Sequence, residues 1–220
     1  MNRRGRWLLS IGVIVTLAVA VILWRHHSFT HAEHQTSSTR APMSERSLYQ
    51  LESAWRTDAD RSLRLRELRG HYQIVVLMFT ECVGICPILV KQLQHLQTTL
   101  PPAIDASTRF VAISIDPDRD TPQVLSHYRQ QMHLDSRWTL LTGDSIAVRE
   151  VTAVLGFNYA PGPADQFVHS SLVSVLDPAG SVIHQQPGAA DMQDIVRIIA
   201  ADKERRADLS HASSLRHAAW

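Results

Sequence analysis

Met78-Phe79-Thr80-Glu81-Cys82-Val83-Gly84-Ile85-Cys86-Pro87 holds the only two cysteines of the 220-residue chain. The apolar run Ile74 to Phe79 leads directly into it. Ile85, Leu89, Leu93, Leu96 and Leu100 follow at helical spacings of three and four. The pattern predicts a buried strand that ends where a helix begins, with the cysteines at the join. Two residues four apart on a helix share one face, so both sulfurs are expected to point at one object. The free N–H groups and partial positive charge of a helix N-terminus favour thiolate over thiol. Such a pair suits either metal binding or reversible disulfide formation. Two buried, inert cysteines are the plain alternative, but chance rarely places both cysteines of a chain at such a join.

Downstream, periodic segments and breakers alternate. Pro101-Pro102 stops the helix near Leu100. Arg109 to Asp116 reads as a second buried strand and Asp116 to Asp120 as a turn. Thr121-Pro122 is a capped helix start, with the helix running to about His133. Trp138 to Leu141 is a third strand, and Asp144 or Ser145 caps a further helix that Gly156 stops. Phe157 to Val168, with Pro161-Gly162-Pro163 inside it, is expected to be a loop long enough to carry function, and it delivers His169. Ser170 to Leu176 and Ser181 to Gln185 form a hairpin around the turn Asp177 to Gly180. A last amphipathic helix is expected from about Ala190 to Arg205, followed by a loose tail, 206–220. This order implies an α/β fold: a central mixed sheet flanked by helices, with a parallel core and antiparallel strands added by the closing hairpin. A CxxxC at the first strand-to-helix junction of such a unit points to a thioredoxin-like arrangement. Open α/β sheets gather ligands at the carboxyl ends of their strands.

The chain carries 22 basic and 21 acidic side chains, so no nucleic-acid surface is expected. Two cysteines are too few for a disulfide scaffold, and twelve scattered histidines do not by themselves identify a metal site. Residues 1–6 include Arg3, Arg4 and Arg6, and Trp7 to Trp24 is an 18-residue stretch without charge. As a helix it is about 27 Å long, enough for one bilayer crossing. The leading arginines place residues 1–6 in the cytoplasm and the main domain outside. Ala18-Val19-Ala20 has the small-x-small form of a cleavage site but lies inside the apolar run, so an uncleaved anchor is expected. Residues 25–47 read as a flexible tether, with His26, His27, His31 and His34 expected to be solvated, and 48–205 as the folded domain.

Three motifs in this domain resemble the Sco/SenC family of copper chaperones. They are Phe79-Thr80-x-Cys82-x-x-x-Cys86-Pro87, then Ile113-Ser114-Ile115-Asp116-Pro117-x-x-Asp120-Thr121-Pro122, then His169-Ser170 followed by an apolar strand and Asp177-Pro178-x-Gly180. The resemblance runs from about Leu48 to Asp202. It implies a thioredoxin-like fold that binds copper, Cu(I) or Cu(II), through Cys82, Cys86 and His169. It also implies a chaperone of cytochrome c oxidase assembly, held in the bacterial inner membrane by one span, with its domain in the periplasm. The implied partners are a copper donor protein and the copper-accepting subunit carrying the dinuclear copper centre. Two positions depart from the family: Val83 replaces the usual proline after the first cysteine, and Val168 replaces the usual acid before the histidine.

The chemistry agrees with that ligand set, since soft thiolates suit Cu(I) and an imidazole completes a three-coordinate site. A Cys82–Cys86 disulfide would switch binding off. A metallochaperone is therefore expected rather than an enzyme. The alternative is a thiol–disulfide oxidoreductase in which Cys82 attacks and Cys86 resolves. A peroxiredoxin-like peroxidase fits less well, because Thr80-x-Cys82 is one residue short of its Thr-x-x-Cys. A scaffold with vestigial cysteines does not account for a retained pair beside Pro87.

Overall fold

Apolar runs rich in β-branched residues are buried on both faces when they pair in parallel under helices. Strand β3 (Tyr72–Met78) is such a run, buried at every position. It pairs in parallel with β4 (Thr108–Ser114), and β4 pairs in parallel with β5 (Trp138–Thr142). These assignments belong to a computed structural model that describes residues 47–163 and 166–217, with side chains through 211. All of them lie in the unit Ala41–Trp220. The expected anchor, 7–24, lies outside the described residues. Among the described residues no helix is long and apolar enough to cross a membrane.

The closing hairpin, β8 (Leu172–Leu176) and β9 (Val182–Pro187), adds antiparallel strands beside β3. At the other side, β1 (Ala54–Thr57) runs antiparallel to β5, and β2 (Ser62–Arg64) runs antiparallel to β1. The resulting seven-stranded order is β2-β1-β5-β4-β3-β8-β9. The helices are α1 (Ile85–Thr99), the single turn α2 (Pro102–Asp105), α3 (Pro122–Gln131), α4 (Ser145–Leu155) and α5 (Gln193–His217). The expected α/β architecture, a mixed sheet flanked by helices, is therefore observed.

Capping explains where the helices start. Thr121 accepts from Val124 N–H ahead of Pro122, and Asp144 accepts from both Ile146 and Ala147 N–H. Gly156, with φ 64°, closes α4 in the left-handed conformation. Leu89, Val90, Leu93 and Leu96 form the buried stripe of α1. Gln94 Nε2 donates to Met132 O at 2.8 Å, which sets α1 beside the end of α3.

Register decides what meets at the carboxyl edge of the sheet. Met78 lies opposite Ser114, so the turns leaving β3 and β4 emerge side by side. Val76 lies opposite Val173 in the antiparallel pair, so the chain enters β8 at that same edge. His169 precedes β8 by three residues.

Several local expectations change. Phe157 to Val168 is not an open loop: β6 (Tyr159–Pro161) and β7 (Phe167–His169) pair as a separate two-stranded sheet. Proline is tolerated there because both strands are edges. The last helix does not fray at Arg205 but continues to His217. No Gly or Pro interrupts 193–217, and Asp202 pairs with Arg205 and Arg206 one turn on. Helix α1 begins at Ile85 behind Gly84, so Cys82 sits in the preceding turn and only Cys86 is helical. The cysteines therefore meet through a bent turn rather than through one helical face.

Candidate metal centre

Three segments bring one ligand atom each to the carboxyl edge of β3. Among the described residues, Cys82, Cys86 and His169 form the one metal-competent group of His, Cys, Asp or Glu side chains. Their ligand atoms all lie within 4.8 Å of one another. Both cysteines are free thiols, Cys82 half-buried and Cys86 only 3% exposed. Cys86 Sγ stands 3.7 Å from His169 Nε2. Bonds of about 2.3 Å to sulfur and about 2.0 Å to nitrogen put ligands of one ion about 3.5–3.7 Å apart for trigonal or tetrahedral angles. The residues present therefore fit a common soft ion without rearranging that pair.

The imidazole is oriented from its far side. His169 Nδ1–H donates to Ser170 O at 2.9 Å. A carbonyl only accepts, so the proton belongs on Nδ1 and the lone pair on Nε2, facing the sulfurs. The ring also stacks on Phe157 (centroids 5.7 Å apart) and meets the edge of Phe79 (5.9 Å). Phe167 packs edge-on against Phe79 at 5.2 Å. The histidine is thus set in an aromatic wall that restricts its rotation.

The cysteine turn is held from two directions. Buried Asp120 accepts from Thr80 N–H at 3.1 Å and from the hydroxyls of Thr80 and Ser114. Burial raises its pKa, and the donors from Ser114 and Thr80 work against that rise. From the other side, Gln166 donates through Nε2 to Glu81 O (3.2 Å) and accepts through Oε1 from Val83 N–H (3.5 Å). Arg119 pairs with Asp116 and Glu81, and its guanidinium lies over the Phe167 ring at 5.8 Å. One turn thus contacts both the Asp116–Asp120 segment and the hairpin that ends in His169.

Thiolate character is not favoured everywhere. Burial pushes the Cys86 thiol well above its ordinary pKa, and its hydrogen bond and charge coupling to Cys82 push it further. Helix N-terminal polarity, expected to favour thiolate, is outweighed at this sulfur by desolvation.

The SCO1/SenC family model matches residues 47–203. The chain belongs to the SCO1/SenC family. A SCO1 protein homolog of Bacillus subtilis is 29% identical over 132 residues, covering 58% of this chain and 68% of the relative. ScoI of Arabidopsis thaliana, solved with copper bound, superposes with a TM-score of 0.60 at 19% identity, over 69% of this chain and 96% of that one. BsSco, described as carrying a disulfide switch, gives 0.58 at 24% identity, over 67% and 88%. These two likenesses establish the fold of this SCO1/SenC chain.

Within this SCO1/SenC protein both departures from the expected motif face solvent: Val83 is 87% exposed and Val168 is 67% exposed. Neither disturbs the ligand atoms. Sequence reasoning missed Gln166 and Arg119. Gln166 carries no local signal at all, while Arg119 lies inside the second motif, where only a turn was read.

Proposed function

We propose that this protein is a membrane-anchored copper chaperone of cytochrome c oxidase assembly. In this reading Cys82, Cys86 and His169 hold copper as cargo, received from a donor protein. They pass it to the subunit that builds the dinuclear copper centre. Residues 7–24 anchor the domain in the bacterial inner membrane, facing the periplasm. One observation carries the reading: two free sulfurs and a ring nitrogen converge with the imidazole tautomer already fixed for ligation. It is supported by the copper bound to Arabidopsis ScoI and by the description of BsSco as a member of the Sco family of cytochrome c oxidase assembly proteins.

The donor set suits Cu(I), since thiolates are soft and a neutral imidazole completes three-coordination. Each bound thiol releases its proton to solvent as the sulfur takes the metal. Cys82 and His169 are both half-buried while Cys86 is buried, so an acceptor reaches one of the first two before Cys86, where exchange ends.

A second reading rests on the same two free thiols. Cys82 thiolate attacks an acceptor disulfide, forming a mixed disulfide and releasing one acceptor thiolate. Cys86 thiolate then attacks Cys82 Sγ, freeing the second acceptor thiolate and closing a Cys82–Cys86 disulfide, so two electrons pass to the acceptor.

Anaerobic Cu(I) titration with a competing chelator separates the readings. Wild type is expected to bind one equivalent tightly. Cys82→Ser, Cys86→Ser and His169→Ala are each expected to lose more than the about 10–100-fold typical of outer-shell partners. Equal binding by wild type and the triple variant would overturn the copper reading. An oxidoreductase retains its disulfide exchange after His169→Ala.

A further inference from the structure

Six large apolar side chains stand exposed among the described residues: Val83, Ile88, Val124, Ile146, Val168 and Leu209. Exposed apolar residues scattered singly over a surface need no explanation. Five of these are not scattered. Strands β3, β4 and β5 are parallel, so the segments that leave them start at one edge of the sheet. Val83 lies in the turn after β3, and Ile88, Val124 and Ile146 lie in the first turns of α1, α3 and α4. Val168 directly precedes His169, which stands at the same edge.

That edge is also short of free charge. Helix N-termini favour acidic side chains in the first turn, and α2 and α5 carry them as Asp105 and Asp194. Helices α1, α3 and α4 carry none. Arg119 is paired with Glu81 and Asp116, and Asp144 is taken up by the N–H groups of Ile146 and Ala147. The approach to the ligands is open. Gly84 is exposed, and a side chain placed there would meet nothing within 4 Å. Val83 follows Cys82, and its N–H donates to Gln166 Oε1 at 3.5 Å, two residues before Val168. The two exposed valines thus belong to the two segments that deliver Cys82 and His169.

We propose that this edge is the docking surface for the copper-accepting protein, which seats an uncharged apolar patch on Val83 and Val168 and is recognised by apolar burial rather than by charge. The inference rests on the copper-chaperone reading above. That reading selects the occupant: only a protein seated over Cys82 and His169 can exchange ligands with them, and it covers the valine beside each. In the exchange Cu(I) keeps its oxidation state. Acceptor thiolates and imidazoles displace the cysteines and His169, and each sulfur vacated takes up a proton that an acceptor thiol gave up. Association steered by charge falls steeply with ionic strength, whereas apolar burial does not.

The test loads the full chain, in lipid nanodiscs, with Cu(I) and mixes it anaerobically with the apo copper-accepting oxidase subunit of the same organism. Copper in that subunit is followed against time. The double variant Val83→Asn, Val168→Asn swaps exposed apolar groups for uncharged polar ones, so the fold and the chelator-measured copper affinity are expected to stay as in wild type. Transfer is expected to slow about tenfold or more, the loss of apolar burial at two valines. Leu209→Asn, exposed but away from this edge, is expected to transfer as wild type does. The wild-type rate is expected to change little between 50 and 500 mM NaCl. Equal transfer by wild type and the double variant would overturn the inference, and so would a tenfold fall of the wild-type rate over that salt range. Self-association of wild type that the double variant abolishes, read by sedimentation, would assign the edge to a second copy instead and overturn it too. If wild type binds copper but passes none to the subunit, or binds none, the functional reading itself fails.

Discussion

At the scale of single residues, the site is a balance between burial, which disfavours charge, and a metal, which requires it. Cys86 is the clearest case, since desolvation raises its pKa far enough that the free protein holds it as a thiol at neutral pH. Copper uptake must therefore release that proton. Apparent affinity is expected to rise with pH by about tenfold per unit for each thiol proton displaced. Chelator competition between pH 6.5 and 8 measures the slope; a flat profile would mean that the thiols are already ionised before binding. The cysteines were legible from the first reading because a strand-to-helix join is written in apolar spacing. His169 was not: among twelve histidines nothing local distinguishes it, and only its place in the third motif pointed to it. Gln166 was illegible for a related reason, since its partners Val83 and Glu81 are 83 and 85 positions away.

At the scale of elements, β6 and β7 form the least supported part of the fold. They pair only with each other, outside the seven-stranded sheet. Isolated two-stranded hairpins are marginally stable in water. This one is held down by aromatic packing on Phe79 and by the Gln166 amide. Its last residue is a proposed ligand, so copper should tie it to α1. Hydrogen exchange at the amides of Gly162 and Ser170, which close the hairpin, is expected to slow on copper binding. The amides of β3 should change little, and equal protection of the hairpin in both states would refute the coupling. The hairpin escaped sequence reading because its strands are three residues long and Pro161-Gly162-Pro163 reads as a breaker. Strands β1 and β2 were missed for the same reason of length. By contrast, β3, β4, β5 and four of the helices carry their period and caps openly.

At the scale of the whole molecule, the far end of the sheet is held by charge rather than by the site. Buried Asp202 of α5 accepts from Tyr72 OH at 2.8 Å and pairs with Arg205 and Arg206, and Arg206 also reaches Asp177 at the β8–β9 turn. Burial alone would raise the Asp202 pKa, but the donors from Arg206, Tyr72 and Arg205 outweigh it and hold it below 3.8. A carboxylate depressed in the folded state stabilises above its unfolded pKa, and that contribution is lost as pH falls through the folded value. Asp202→Asn is therefore expected to cost about 1–3 kcal/mol at pH 7 and markedly less near pH 3. Urea denaturation at the two pH values gives the comparison. An equal penalty at both would show that the carboxylate's charge is not what matters. Past this clamp the helix continues to His217, a continuation that a charged and weakly amphipathic tail does not announce.

The register that brings His169 beside Cys86 also sets an order in time. The two residues are 83 positions apart, and a ribosome adding about 5–20 residues per second needs roughly 4–17 s to make the stretch between them. For that interval the nascent chain has its sulfurs but not its nitrogen. Every newly made copy is therefore a dithiol before it is a metal site.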